Sequence, residues 1–133
     1  MKRLIAIATL FTLFQTVAHA QQGHPLSGTW QGEWGTSASD QHFLTLIMEW
    51  DGQRITGIAN PGPDSTPIDQ VTLSSDDWSV DIDMDMKDSA SRSVRFKGEG
   101  TLRDLGSQTR SLQGKWSSGS EQGTFTLTRQ GGP

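Results

Sequence analysis

Cysteine and tyrosine are both missing from the 133-residue chain, and histidine occurs only three times. Without cysteine there is no disulfide framework, no thiol nucleophile and no thiolate metal site. The fold must then be held by packing alone. Helical spacing of apolar residues is almost absent, so there is no helix to carry a phosphate-cradling glycine loop. Basic side chains are few, with 11 Lys and Arg against 15 Asp and Glu. That balance argues against nucleic acid and against an anionic membrane surface as partners. No apolar run reaches the roughly 20 residues that span a bilayer, so membrane insertion is not expected.

The longest apolar stretch is Leu4 to Phe14, preceded by Lys2 and Arg3 and followed by Ala18-His19-Ala20. A basic start, a short apolar run and an A-x-A site are the order of a secretory signal peptide, expected here at 1–20. The product is expected to be exported, periplasmic or secreted. No cysteine follows the run, which excludes a lipid-anchored form. Cleavage after Ala20 leaves 113 residues with nine basic and fifteen acidic side chains, a net charge of −6. That length suits one domain. The expected organisation is an N-terminal arm at 21–26, a β domain at 27–129 and a flexible tail at 130–133.

Short alternating runs separated by Gly, Ser, Thr and Asp clusters predict an all-β domain. Eight strands are expected: Ser27–Trp34, His42–Trp50, Gln53–Ala59, Thr66–Leu73, Asp77–Met86, Arg92–Leu102, Arg110–Ser117 and Glu121–Arg129. Asp51-Gly52 reads as a two-residue hairpin turn. Asn60-Pro61-Gly62-Pro63-Asp64 must be a loop, because its prolines do not suit a central ladder. Trp78 to Met86 alternates without exception, leaving Asp81, Asp83 and Asp85 in a row on the wet face. A hairpin at Lys87–Ser91 would set Asp83 opposite Arg95 and Asp81 opposite Lys97, pairing the charges across strands. The architecture expected is an eight-stranded antiparallel meander barrel, with a β-sandwich as the alternative. Pairing of the first strand with the last decides between them.

The opening strand reads Leu26-Ser27-Gly28-Thr29-Trp30, and the closing one ends on Arg129. A Gly-x-Trp at the start and an Arg at the end resemble the calycin superfamily of small meander barrels: lipocalins, avidins and bacterial metalloprotease inhibitors. The texture is also similar to that of uncharacterised exported bacterial proteins. The resemblance implies structural roles for Gly28, Trp30 and Arg129, with Trp30 plugging one end and Arg129 lying across its indole. An Arg over a Trp face gains a cation–π term. The avidin branch departs where it matters, since Gly32 stands in place of the ring-binding Asn and the third-strand Tyr is replaced within Ile55-Thr56-Gly57-Ile58-Ala59.

No catalytic set, metal site or cofactor is expected, and the chain does not read as an enzyme. After cleavage only His24 and His42 remain, His24 in a floppy arm. Asp40 and His42 share a face and read as an ion pair at a loop edge. Trp30, Trp34, Trp50, Trp78 and Trp116 all fall on the apolar parity, as do Gly32, Gly57, Gly98, Gly100 and Gly114. Aromatics facing glycines fit two arrangements: a barrel filled by its own side chains, or a cavity walled by indoles. The functional expectation is a binding module for a small hydrophobic or aromatic ligand. Trp34, Trp50 and Trp78 would line its open end, with Met48 and Met84 as an adaptable wall. Asp40 and Asp77 would favour a neutral or cationic ligand. The alternative is a protein–protein module such as a periplasmic protease inhibitor acting through the Gln21–Leu26 arm, although the inhibitors it resembles generally carry a disulfide.

Overall fold

Strands form wherever apolar and polar residues alternate: β1 (Gly28–Ser37), β2 (Asp40–Trp50), β3 (Ile55–Ala59), β4 (Thr66–Ser74), β5 (Ser79–Lys87), β6 (Ser93–Arg103), β7 (Ser111–Ser118) and β8 (Glu121–Arg129). The structure, a computed structural model, describes residues 24–87, 92–107 and 109–130. The expected signal peptide at 1–20, the start of the arm at 21–23, the turn residues 88–91 and the tail residues 131–133 lie outside the described residues. Each strand pairs antiparallel with the next, and β8 returns to β1, so the sheet closes as an eight-stranded meander barrel. Trp30 stands opposite Arg129 and Trp34 opposite Phe125, which is the first-to-last pairing a sandwich would lack.

Odd-numbered strands run toward one end, called upper here, and even-numbered strands run back. The upper end carries the β1–β2, β3–β4, β5–β6 and β7–β8 connections. The interior is filled by inward side chains of all eight strands. Trp30, Phe96, Phe125, Leu44, Leu46, Met48, Ile82, Met84, Met86, Leu112 and Leu127 are all fully buried. In the upper half, Trp34 meets Trp116 edge-on at 4.9 Å and Phe96 at 5.7 Å, and Phe96 meets Phe125 at 5.6 Å. Glycines make room for these rings. Trp116 pairs with Gly98 on one side and Gly123 on the other, and Phe125 pairs with Gly114. Both arrangements left open by the sequence are thereby decided in favour of the filled barrel.

Three local expectations are corrected. The turn expected between Trp34 and His42, at 35–40, shrinks to Ala38 and Ser39, because β1 continues to Ser37 and pairs with Asp40. The Asp51-Gly52 turn is a four-residue loop, with Trp50 opposite Ile55. Asp51 Oδ1 accepts from the amides of Gln53 and Arg54, at 2.8 and 2.9 Å, and so holds the wider turn. In the β5–β6 hairpin, Asp85 faces Arg95, Asp83 faces Lys97 and Asp81 faces Glu99, two residues from the expected register. The last two shifts leave inward residues inward, because a slip of two preserves the pleat, and the first leaves Trp34 opposite His42.

Arg95 still collects the aspartates. Its guanidinium reaches Asp69 at 2.7 Å, Asp83 at 2.8 Å and Asp85 at 3.1 Å. Asp69 joins them because β4 is irregular between Ile68 and Gln70, which turns an extra residue outward. The carboxylates on Asp69 and Asp85 hold the guanidinium in its charged form. The row of outward acids is thus a register device.

The lower end is closed by the arm. Leu26 is fully buried, and its carbonyl accepts the Trp30 indole N–H at 2.9 Å. Arg110 donates to the Pro25 carbonyl at 3.0 Å, and the His24 ring stacks on Trp50 at 4.6 Å. The expectation of a floppy His24 is therefore corrected. His24 Nδ1 accepts the Leu26 amide at 3.1 Å, which requires that nitrogen to be unprotonated. Burial lowers the His24 pKa below the ordinary 6.5. The sign follows: the unfolded chain binds the proton more readily, so this contribution is complete above about pH 6.5 and is lost as pH falls through the depressed folded value. Acidification from pH 7 through the depressed His24 value is expected to loosen the arm and change Trp50 emission. A His24→Gln protein, followed by the same pH titration of fluorescence, should lose that step.

Candidate functional site

The upper mouth gathers the groups with chemistry. Trp34 and His42 are directly opposite in β1 and β2, both inward, with ring centres 5.2 Å apart. Trp116 meets Trp34 edge-on, and its indole N–H donates to the Gly35 carbonyl at 3.1 Å. Above the rings, the short β1–β2 turn brings Asp40 back over the rim. Its Oδ1 lies 3.2 Å from His42 Nε2, and its Oδ2 accepts the Thr36 hydroxyl at 2.6 Å. The Thr36 hydroxyl and amide, followed by His42, hold the Asp40 carboxyl below the ordinary carboxylate range. Asp40 is therefore an oriented acceptor that fixes the imidazole against Trp34. Val94, Arg92 and Glu121 complete a recess of about 170 Å³ over this floor.

The expected ligand-binding set is not brought together. Trp34 is at the upper end, and Trp50 and Trp78 are at the lower end, because β1 ends where β2 begins and β5 begins where β4 ends. Trp50 is occupied by His24. Trp78 precedes β5 rather than opening it, in a turn with φ of 60°, and its carbonyl accepts the Leu102 amide. Met48 and Met84 are 1% and 0% exposed, so they are core and not an adaptable wall. Asp77 caps the turn beside Trp78, at the opposite end from Asp40. The residues missed were Trp116, Arg92, Val94 and Glu121. All have inward parity near a strand's upper end, a signal present in the sequence.

The structural trio lies at the closed end. Gly28 has φ of +125°, and a Cβ on it would meet Arg129 Nε at 2.8 Å. The glycine gives passage to the guanidinium, whose Nε donates to the Ser27 carbonyl at 2.8 Å. Arg129 thus ties the arm to β8 beside Trp30.

The chain matches no protein-family model, no curated protein and no solved structure.

Proposed function

We propose that the protein is a small binding module in which the filled barrel is the frame and the upper mouth seats the ligand. The observation that carries this reading is the His42 ring, held against Trp34 by an Asp40 that is itself fixed by Thr36. Three side chains oriented by one another at a recess form a preorganised surface for a planar group. A recess of about 170 Å³ is smaller than the usual drug-sized pocket of about 300–1,000 Å³. It suits a single aromatic or heteroaromatic ring. Two carboxylates, Asp40 and Glu121, against one guanidinium favour a neutral or cationic substituent over an anionic one. The indole N–H of Trp116 already donates to the Gly35 carbonyl, so it is not free for a ligand, and polar contacts come from the rim. The calycin-like, exported character read from the sequence is compatible with such a role.

Titration of tryptophan emission with benzamidine, indole and benzoate tests it. The expected result is a saturable change with benzamidine or indole and a weaker one with benzoate. His42→Ala should weaken binding about tenfold with an unchanged melting temperature, the loss of one well-placed ring contact. Equal binding to His42→Ala, or no response to any of the three, overturns the reading.

A further inference from the structure

Phe43 is 85% exposed although it lies within β2, where it pairs with Glu33 of β1. Alternation explains why it points out, since Leu44, Leu46 and Met48 take the interior. It does not explain why the outward residue is a phenylalanine. Nothing in the core uses this ring, which β2 presents on the outer wall.

Its surroundings define what it suits. Phe43 faces Glu33 across β1, and Glu33 faces Thr126 on β8. One step along, Thr45 faces Gln31, and Gln31 faces Thr128. Together with Gln41 and Thr124 these residues line an open groove of about 620 Å³ on the outer wall. From Thr124 to Thr128 the face extends about 13 Å along the strands and about 10 Å across three of them. Its side chains are hydroxyls, amides and one carboxylate, with no lysine or arginine. Gln41 donates to the Ser37 carbonyl. Among the described residues, the side chains of Gln31, Glu33, Thr45, Thr124, Thr126 and Thr128 make no hydrogen bond or ion pair. The face therefore offers donors and acceptors with no protein partner around a single flat apolar ring.

We infer that the outer face of β8, β1 and β2 binds a neutral oligosaccharide, with Phe43 stacked on a sugar ring and Glu33, Gln31 and Thr126 hydrogen-bonded to its hydroxyls. A pyranose has an apolar C–H face and a polar rim, the complement of an aromatic ring bedded among amides and hydroxyls. The chemistry disfavours the other occupants. Protein interface cores gather several aromatic, methionine and arginine anchors, and this groove has one ring and no arginine. Nucleic acid and acidic polymers need cations, which the groove lacks. An apolar ligand would find no second apolar wall, since Leu44 and Phe125 turn their side chains inward. The face is distinct from the upper mouth, so this inference does not depend on the ring-binding reading.

Isothermal titration of the protein with cellohexaose, maltohexaose and chitohexaose tests it, alongside sedimentation velocity over a range of concentrations. At least one hexasaccharide is expected to bind. Phe43→Ala should reduce that affinity at least about tenfold, and Glu33→Gln should reduce it less. Both should melt as the parent does, because neither side chain is in the core. No heat with any of the three sugars, or equal binding by Phe43→Ala, overturns the inference. Self-association abolished by Phe43→Ala also overturns it and assigns the face to a second copy of the chain.

Discussion

Trp30→Ala is expected to cost about 3–5 kcal/mol of folding free energy, the range for removing a large buried aromatic. Trp30 is 0% exposed and stands opposite Arg129 at the end the arm closes. Two losses combine. The indole leaves a cavity beside Leu26 and Leu46 that the strands cannot collapse to fill, because β1 is paired on both sides. The Leu26 carbonyl also loses its donor inside the protein. Small domains hold a total of about 5–15 kcal/mol, so the variant stands near the unfolding threshold. Urea denaturation followed by the emission of the remaining tryptophans measures it. Trp30→Phe keeps most of the packing and loses the hydrogen bond, so its midpoint should fall between the two. Arg129→Ala should fall closer to the parent, since that side chain is only half-buried. A Trp30→Ala midpoint equal to that of the parent would show that the indole does not close the lower end.

The strands were legible because one periodicity, that of two, governs nearly the whole chain. Trp78 to Met86 is the clearest instance, and Val80, Ile82, Met84 and Met86 are all buried as it requires. What alternation does not determine is a slip of the register by two residues. A turn centred on Ser89 and one centred on Ala90 put the same residues inside, and only the observed pairing of Lys87 with Ser93 distinguishes them. Side-chain caps such as Asp51 make that choice through individual hydrogen bonds that no pattern encodes. The irregularity that turns Asp69 toward Arg95 is of the same kind.

The site was less legible for a different reason. Parity separates inside from outside, and all five tryptophans obey it, but it says nothing of height along the barrel. Height follows from strand direction. Trp34 is late on an odd-numbered strand and Trp50 is late on an even-numbered one, so a meander must send them to opposite ends. The same bookkeeping places His42, Trp116 and Glu121 with Trp34. Phe43 was equally available as an aromatic on the polar parity of β2. The docking of His24 on Trp50 was not available, since it depends on how the arm folds across the closed barrel.

Gly114→Ala is the second large effect expected. Gly114 lies on β7 between Gly100 of β6 and Phe125 of β8. A Cβ there would lie 2.1 Å from the Glu99 carbonyl oxygen and 2.4 Å from the Gly100 Cα. Both obstacles are backbone and cannot rotate aside, so β6 and β7 would have to separate. Separation has no free direction on the inner side, where Phe125 already packs on Phe96. The cost should reach or exceed the upper part of the roughly 1–3 kcal/mol typical of overpacking. It outweighs the roughly 0.4–1 kcal/mol that a Gly→Ala change contributes by stiffening the unfolded chain. Gly106 supplies the control. It lies in the β6–β7 loop, where an added Cβ meets nothing within 4 Å. Gly106→Ala should therefore be neutral or slightly stabilising. Thermal unfolding separates the two variants, at about 4 °C for each kcal/mol in a domain of this size. Equal melting temperatures would mean that the close approach of β6 and β7 is not what requires glycine at position 114.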